Sequence, residues 1–279
     1  MVTVSTMARS SSSRDISFDT DFGVARIRWD GPRATLFLGD VESSAVDTSD
    51  PTYLEFEYMQ HMDAVVSSLW GPQDRFRALH VGGAACALAC AWSSSHPQSR
   101  HVAVEVDRSL AEQVREHFPI PKAPQVKIRV GDGRAVLDGT REGSFDVIVR
   151  DAFASGVTPD HLRTVECADR ARRALTASGV YLVNCAHGGP ANARQDVAAL
   201  QDVFPFVASI QDPKVGRGGR RGNVVALASA ADVVDVDQID RALRMLALPA
   251  RITRPAELTR WVAGTPTLTD AQVGYPQAD

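Results

Sequence analysis

The stretch Leu79–Cys86 reads LHVGGAAC, an apolar run that ends in two glycines and continues with small residues. This pattern is typical of a β-strand that turns directly into a helix. Small residues in such a turn also let a bound group approach its backbone N–H groups. The stretch lacks the G-x-G-x-x-G spacing of dinucleotide-binding turns. A tight turn packed against a sheet, with no ligand, is the alternative interpretation.

Apolar runs of the same kind alternate with helical segments further along the chain, which predicts βαβ units and a parallel sheet. The predicted strands are 78–82, 101–106, 126–130, 145–149 and 180–184. After a helix at 191–203, two apolar runs at 206–210 and 223–227 flank a Gly/Arg-rich turn and predict an antiparallel pair. The predicted class is therefore α/β, a Rossmann-like sheet of the methyltransferase type with a terminal antiparallel hairpin.

The rest of the chain divides into three predicted parts. Residues 1–15 are Ser/Arg-rich and are predicted to be a disordered tail. Residues 16–50 are predicted to form a small N-terminal β-hairpin domain, with its turn at Asp30–Arg33. Residues 51–279 are predicted to form the Rossmann-like domain, which opens with a helix from Asp50-Pro51 to Leu69. It closes with a helix at 236–246 and a Pro-interrupted tail, in which 268–270 predicts only a loop.

The composition of the 279 residues, 44% hydrophobic and 23% charged with a net charge of -4, is ordinary for a globular protein and gives no sign of nucleic-acid binding. No apolar run approaches the length of a membrane span and no secretory signal is visible, so we expect no membrane association and a cytoplasmic location. The four cysteines show no C-x-x-C spacing and are predicted to be reduced core residues. The histidines form no metal-binding pattern, so we predict no metal site.

Acidic residues follow three of the predicted strands, at the sheet edge where open α/β folds bind ligands. Glu105 lies roughly 20 residues after the glycines, the spacing at which a carboxylate accepts from ribose hydroxyls. Asp132 lies between Gly131 and Gly133, where it is able to accept from an adenine amino group or to cap the next helix. Asp151 follows the fourth strand and is a candidate base or cation anchor, or a structural residue of the loop.

Taken together in this order, these motifs resemble the core motifs of the spermidine synthase family over roughly residues 35 to 228. The motifs that carry the resemblance are 81–83 (VGG), 104–107 (VEVD), 131–134 (GDGR) and 145–151 (FDVIVRD). The resemblance implies a cofactor site in which Glu105 holds the ribose, Asp132 and the adjacent Gly133 hold the adenine, and Gly82 and Gly83 flank the thioether.

The resemblance also implies a reaction and an assembly. Asp151 would orient and deprotonate an amine, which attacks decarboxylated S-adenosylmethionine and takes its aminopropyl group, with methylthioadenosine as the other product. The implied partners are a small-molecule amine and a second copy of the chain in a homodimer.

The chain departs from the family at its amine-binding positions. Ala85 and Ala154 stand where the family has aspartates, and losing one member of a buried charge pair typically costs about 3–5 kcal/mol. We therefore expect an aminopropyltransferase with altered amine specificity, in which use of putrescine is in question. Weaker substrate-binding candidates are Glu42, which matches a family Gln, and Tyr53, Glu57, Tyr58 and His61, which match a family Y-x-E-x-x-x-H segment.

Two other functions remain open at this point. A methyltransferase that uses intact S-adenosylmethionine is compatible with Ala85, because the loss of a carboxylate there removes its repulsion of the cofactor's own carboxylate. A non-catalytic protein that binds an adenosyl ligand is compatible with the reduced number of charges at the amine positions.

Overall fold

The computed structural model describes residues 14–154, 156–215 and 220–276. The predicted disordered tail therefore lies outside the described residues except for its last two, Arg14 and Asp15, which belong to a strand. Their pairing with Trp29 and Arg28 fixes them in an antiparallel sheet, so the prediction of disorder is wrong for these two residues.

The N-terminal part is a four-stranded antiparallel sheet, larger than the single hairpin predicted. Its strands follow chain order: β1 (Arg14–Thr20), β2 (Gly23–Asp30), β3 (Arg33–Leu38) and β4 (Val41–Asp47). The predicted turn between β2 and β3 is present, with Gly31 in the left-handed region at φ 58°. The sheet ends at Asp47, and a domain boundary at residue 50 remains a prediction.

The remaining residues form a mostly parallel sheet of eight strands flanked by helices. The strands are β5 (Arg77–Val81), β6 (Arg100–Glu105), β7 (Val126–Val130), β8 (Phe145–Arg150), β9 (Leu175–His187), β10 (Phe206–Gln211), β11 (Gly222–Ser229) and β12 (Arg251–Thr253). The helices are α1 (Glu57–Leu69), α2 (Ala87–Ser95), α3 (Arg108–His117), α4 (Gly133–Asp138), α5 (Val165–Ala174), α6 (Ala193–Val203), α7 (Val236–Arg244), α8 (Pro255–Val262) and α9 (Asp270–Val273).

The strand order in this sheet is β12-β10-β11-β9-β8-β5-β6-β7. Strand β5 pairs in parallel with β6 on one side and β8 on the other, so the chain reverses its direction of travel across the sheet at β5. In open α/β sheets such a reversal leaves a crevice at the carboxyl ends of the strands. Strand β11 lies antiparallel between β9 and β10, which confirms the predicted terminal hairpin and the methyltransferase-type sheet.

Two helix predictions need correction. Helix α1 begins at Glu57 rather than at Asp50-Pro51, because the Asp50 carboxylate accepts hydrogen bonds from Thr52 and holds a turn there. In the C-terminal segment, Pro255 does not interrupt structure but occupies the first turn of α8, where its missing N–H costs nothing. Asp270, predicted to lie in a loop, begins α9.

The hydrophobic core has one cluster on each face of the large sheet, because neighbouring residues of a strand point to opposite faces. Ala78 belongs to the cluster that also contains Ile27 of the N-terminal sheet and Met62 of α1. Leu79 belongs to the cluster under α5, α6 and α8. The N-terminal sheet and α1 are therefore packed on one face of the large sheet, next to the crevice. The helices of the described residues include none long and apolar enough to cross a membrane.

Candidate active site

A cavity of about 410 Å³ lies at the carboxyl ends of β5 to β9. Its floor is formed by the loops after these strands, and the β3–β4 turn with Leu38 and Val41 covers one side. The predicted cofactor residues Gly82, Gly83, Glu105, Asp132 and Gly133 all line it, together with the predicted base Asp151. The fold thus brings together in one place the acidic residues that the sequence placed on separate strand ends.

Gly82 allows the turn after β5 to approach the loop after β8. It has φ 97°, and a Cβ atom built there would lie 2.1 Å from the backbone oxygen of Asp151. Gly133 has a similar role at the start of α4, since a Cβ atom there would lie 2.3 Å from the side chain of Val81. Gly82 therefore allows two backbone segments to meet at the cavity, and Gly133 allows the Val81 side chain to pack against the start of α4.

In the turn after β5, the alanine that lines the cavity is Ala84, not Ala85, the residue that the family resemblance places at an aspartate position. Ala85 is completely buried and is absent from the cavity lining, whereas its neighbour Ala84 lines the cavity. Ala84 and Cys86 have φ 38° and 57°, so the backbone turns through the left-handed region on both sides of Ala85. In this conformation, the Cβ of an acidic residue at position 85 would be buried in the core and not at the cavity lining.

Glu105, at the end of β6, is held by backbone donors. One carboxylate oxygen accepts from the N–H groups of Gly83 and Ala84 at 3.3 and 3.0 Å, and the other accepts from Asp107 N–H at 3.1 Å. These contacts fix the rotamer of Glu105 and tie β6 to the turn after β5. A carboxylate has about four lone-pair sites, so acceptor capacity is left for a ligand.

Asp132 caps helix α4, which is the alternative role that the sequence left open. Its Oδ1 accepts from Ala135 N–H at 2.9 Å, and its Oδ2 accepts from His161 Nε2 at 3.0 Å. The side chain is 40% exposed and lies at the cavity wall. Capping therefore orients the carboxylate without removing it from the cavity.

Asp151 is surrounded by side chains rather than backbone donors. Its two carboxylate oxygens accept from Tyr58 Oη and from Asn184 Nδ2, both at 2.8 Å. Burial raises the pKa of Asp151, and the two hydrogen bonds and Arg150 counter this only in part. Burial and the nearby Asp151 carboxylate hold the pKa of Tyr58 well above its ordinary value, so Tyr58 remains a donor.

The weaker substrate-binding candidates separate into two groups. Tyr58 and Glu42 line the cavity, and of the two candidate tyrosines Tyr58 is the one whose hydroxyl donates to Asp151. Tyr53 instead donates to Glu55 and lies under the guanidinium of Arg33, away from the lining.

The other two candidates of that group do not line the cavity. Glu57 is exposed in the first turn of α1. His61 is buried, and burial lowers its pKa to about 4. The fold therefore does not bring Tyr53, Glu57 and His61 into the cavity.

Three polar residues at or near the cavity lining were not predicted as site residues from the sequence. Asn184 is 2% exposed and was counted only as the end of an apolar strand, although a buried amide in such a run is itself a signal of a polar contact. His80 lines the cavity and has its Nε2 3.2 Å from Nδ1 of the buried His101, and burial lowers the pKa of His80 to about 3. The third is His161, which is 29 residues from Asp132 in sequence and gave no local signal.

The charged side chains that line the cavity in the described chain are all acidic. Four carboxylates contribute, and neither lysine nor arginine is present among the lining residues of the described chain. These carboxylates are Glu42, Glu105, Asp132 and Asp151. Because a wall of this kind attracts cations and repels anions, the cavity is suited to a positively charged ligand. The described residues contain no group of three or more His, Cys, Asp or Glu placed to hold a metal ion.

Comparison with known proteins places this chain in a family. The crystal structure of a probable spermidine synthase from Corynebacterium glutamicum is 32% identical and superimposes with a TM-score of 0.84, covering 91% of this chain and 96% of that one. The chain belongs to the spermidine synthase family. This membership agrees with the resemblance that the strand-end motifs suggested.

Two further proteins are similar to this chain at lower identity. The polyamine aminopropyltransferase of Vibrio vulnificus is 26% identical over 110 residues, which are 39% of this chain and 37% of that relative, so the match spans well under half of its length. A spermidine synthase solved in complex with the transition-state analogue AdoDATO is 16% identical and shares the fold, with a TM-score of 0.57 over 94% of this chain and 87% of the other. No family model matches the chain.

Proposed function

We propose that this protein is an aminopropyltransferase, which transfers the aminopropyl group of decarboxylated S-adenosylmethionine to an amine. The observation that carries the proposal is Asp151, a desolvated carboxylate at the end of β8, in a cavity whose charged lining residues, among those described, are all acidic. Membership of the spermidine synthase family and the AdoDATO-bound relative support the same reaction class.

The donor would lie across the ends of β5, β6 and β7. Glu105 would accept from the ribose hydroxyls and Asp132 from the 6-amino group of adenine, because both carboxylates are oriented by fixed donors and retain free lone pairs. The turn at Gly82 and Gly83 would lie beside the sulfonium. We call Gly83, Glu105 and Asp132 the nucleoside half of the cavity.

The acidic lining favours the decarboxylated donor over intact S-adenosylmethionine. The intact cofactor carries an α-carboxylate, and no lysine or arginine of the described lining is available to pair with it. A buried carboxylate without a partner is costly, whereas the aminopropyl ammonium would be attracted by the same surroundings. The missing carboxylate at Ala85 does not offset this repulsion, because Ala85 does not line the cavity.

Asp151 would act as the base that prepares the nucleophile. An amine that reaches the cavity as an ammonium is stabilised by the ionised carboxylate and gives one proton to it; the neutral nitrogen then attacks the methylene carbon next to the sulfonium. The new C–N bond forms as the C–S bond breaks, and its electron pair leaves on the sulfur of methylthioadenosine. The raised pKa of Asp151 brings its proton affinity closer to that of the amine, which favours this transfer. We call Tyr58, Asp151, Ala154 and Asn184 the amine half.

The amine half differs from that of the family at the second anchor. By the resemblance, the second aspartate of the family's D-x-x-D loop is here Ala154, which lines the cavity and carries no charge. Apart from Asp151, the carboxylate of the described lining that lies outside the nucleoside half is Glu42, which is exposed on β4. We therefore propose that putrescine is a poor acceptor and that amines with one cationic end are preferred.

The test is to incubate the purified protein with decarboxylated S-adenosylmethionine and a panel of mono- and diamines, and to measure methylthioadenosine. We expect product with at least one amine and none with intact S-adenosylmethionine. Failure to form methylthioadenosine with any amine would overturn the proposal. Methyl transfer from intact cofactor would establish the alternative. A cytoplasmic location and a homodimer remain predictions from the sequence and the family.

A further inference from the structure

The segment Leu268–Tyr275, near the end of the described chain, packs on His161, whose imidazole contacts Asp132. Leu268 accepts from the N–H of Val165 at 2.9 Å, and the Thr269 and Gln272 side chains form a capping box that starts α9. This segment lies outside the sheet and outside the cavity lining.

The segment is anchored by Arg134, which directly follows Asp132-Gly133 at the start of α4. Arg134 is 3% exposed and makes a bidentate contact with Asp270, with distances of 2.8 and 2.5 Å to the two carboxylate oxygens. It also donates to Thr164 and to the backbone oxygen of His161 at 3.1 and 3.0 Å. Because the buried pair is fully hydrogen-bonded, α4, the His161 turn and α9 are held as one unit.

Tyr275 continues this contact to His161. Its ring stacks on the His161 ring with centroids 5.6 Å apart and an interplanar angle of 5°, and the guanidinium of Arg134 lies 4.4 Å from the Tyr275 centroid. The Tyr275 hydroxyl donates to Asp138 at 3.2 Å. The stacking and the backbone contact from Arg134 restrict the orientation of the imidazole, whose Nε2 donates to Asp132.

We propose that His161, held by Tyr275, is a positioning residue that makes the cavity selective for a 6-aminopurine. The inference rests on the proposed function, because it assumes that Asp132 meets the adenine. The helix N-terminus fixes one oxygen of Asp132 and His161 fixes the other, so the carboxylate plane is set by two donors from separate elements. His161 does not line the cavity, and it therefore acts through Asp132.

Selectivity follows from the donor and acceptor pattern of the two purines. A 6-amino group donates to a fixed carboxylate, whereas the 6-oxo group of hypoxanthine presents an acceptor to an acceptor. A carboxylate that is free to rotate is able to turn away from the oxo group, at the cost of its bond to the amino group. Loss of His161 should therefore weaken binding of the amino compound and leave the oxo compound almost unchanged.

The experiment is calorimetric titration of the full chain with methylthioadenosine and with methylthioinosine. The variants are His161→Leu, His161→Gln, whose amide N–H replaces the donor, and Tyr275→Ala, which removes the stacked ring. The control is His117→Ala, which removes a histidine stacked on Phe18 at β1, outside the cavity lining. Thermal unfolding is recorded for each variant.

We expect His161→Leu to weaken methylthioadenosine binding about tenfold, the loss of one hydrogen bond of ordinary net strength, and to lower the preference over methylthioinosine by the same factor. We expect His161→Gln to keep most of the preference, Tyr275→Ala to lose part of it and His117→Ala to lose none. In turnover, KM for the donor should rise in His161→Leu while kcat stays the same.

An unchanged preference in folded His161→Leu overturns the inference and leaves the proposed function standing. The inference is also overturned if the leucine and glutamine substitutions lower the preference equally, because the effect would then be structural. Should the wild-type protein bind neither nucleoside, the proposed function fails and the inference fails with it.

Discussion

The nucleoside half and the amine half of the cavity are built by different means. Glu105 is fixed by backbone N–H groups and Asp132 by a backbone N–H group and His161, while both remain accessible from the cavity. Among the described residues, Asp151 accepts from the side chains of Tyr58 and Asn184, and burial raises its pKa. The first arrangement fixes acceptors for binding, whereas the second adjusts the proton affinity of one group for chemistry. The two halves should therefore respond to substitution in different ways.

The largest effect is expected from Asp151→Asn. We expect turnover to fall by about 10²–10⁴-fold, the usual contribution of a general base, while methylthioadenosine binding is kept. The raised pKa of Asp151 means that the folded state holds this proton more tightly than the unfolded state. Wild-type stability should consequently fall as pH rises from the ordinary aspartate range through the raised pKa, and this decrease should be absent in the variant.

Rates, calorimetry and thermal unfolding against pH measure these three properties. If Asp151→Asn retained more than about a tenth of the activity, general-base catalysis by this residue would be ruled out, because the contribution is normally larger.

Glu105→Gln should affect ligand binding rather than the pH dependence of turnover. It should weaken binding of adenosyl compounds by about 10- to 100-fold, because hydrogen bonds to a charged acceptor are stronger than neutral ones and one oxygen becomes a donor. The pH dependence of the remaining turnover should not change. Glu112→Gln on the exposed side of α3 is the matched control, with the same loss of charge. Equal affinities of the two variants for methylthioadenosine would remove Glu105 from the nucleoside half.

Much of the large sheet was predictable, because each parallel strand is a short apolar run between polar turns. The predicted strand 126–130 agrees with β7 and the predicted start at 145 agrees with β8. Strand β9 begins at Leu175, five residues before its predicted start, because 175–179 mixes polar and small residues. Strands β1 and β4 carry too few apolar residues to stand out, which explains why four strands were read as one hairpin.

The site was predictable only where its residues follow strand ends. Glu105, Asp132 and Asp151 fulfil this condition because ligand sites in this fold class collect at those ends. The partners Tyr58 and Asn184 come from α1 and from within β9, and the contact between Arg134 and Asp270 joins residues 136 positions apart. Such contacts depend on packing between distant segments, which local sequence patterns do not report.

A smaller effect is expected from restoring the charge that the amine half lacks. Ala154→Asp should increase kcat/KM for a diamine relative to a monoamine by up to about tenfold. This is the contribution expected from one partly exposed ion pair between the new carboxylate and the second ammonium of the diamine. Ala154→Asn, similar in size and without charge, is the control. The same change at Ala85 should instead lower stability, because that residue is completely buried. Identical amine preferences of the aspartate and asparagine substitutions at 154 would show that charge there does not select the acceptor.

The smallest effect is expected from Tyr58→Phe. The hydroxyl stabilises the ionised form of Asp151, so its removal should raise the pKa of Asp151 further. The acid side of the pH profile of kcat/KM should then move to higher pH, while the plateau changes by less than about tenfold. Tyr53→Phe, which does not contact Asp151, should leave the profile in place. If the pH profile of Tyr58→Phe is the same as that of the wild type, the hydrogen bond from Tyr58 does not set the pKa of Asp151 that matters for catalysis.

The most direct test of the two-part cavity is a crystal structure of the protein with methylthioadenosine and an accepted amine. We expect the ribose hydroxyls to lie within hydrogen-bond distance of Glu105, the 6-amino group at Asp132, and the amine nitrogen at Asp151 facing the sulfur. A nucleoside bound elsewhere, or an amine whose nitrogen lies away from Asp151, would contradict this expectation.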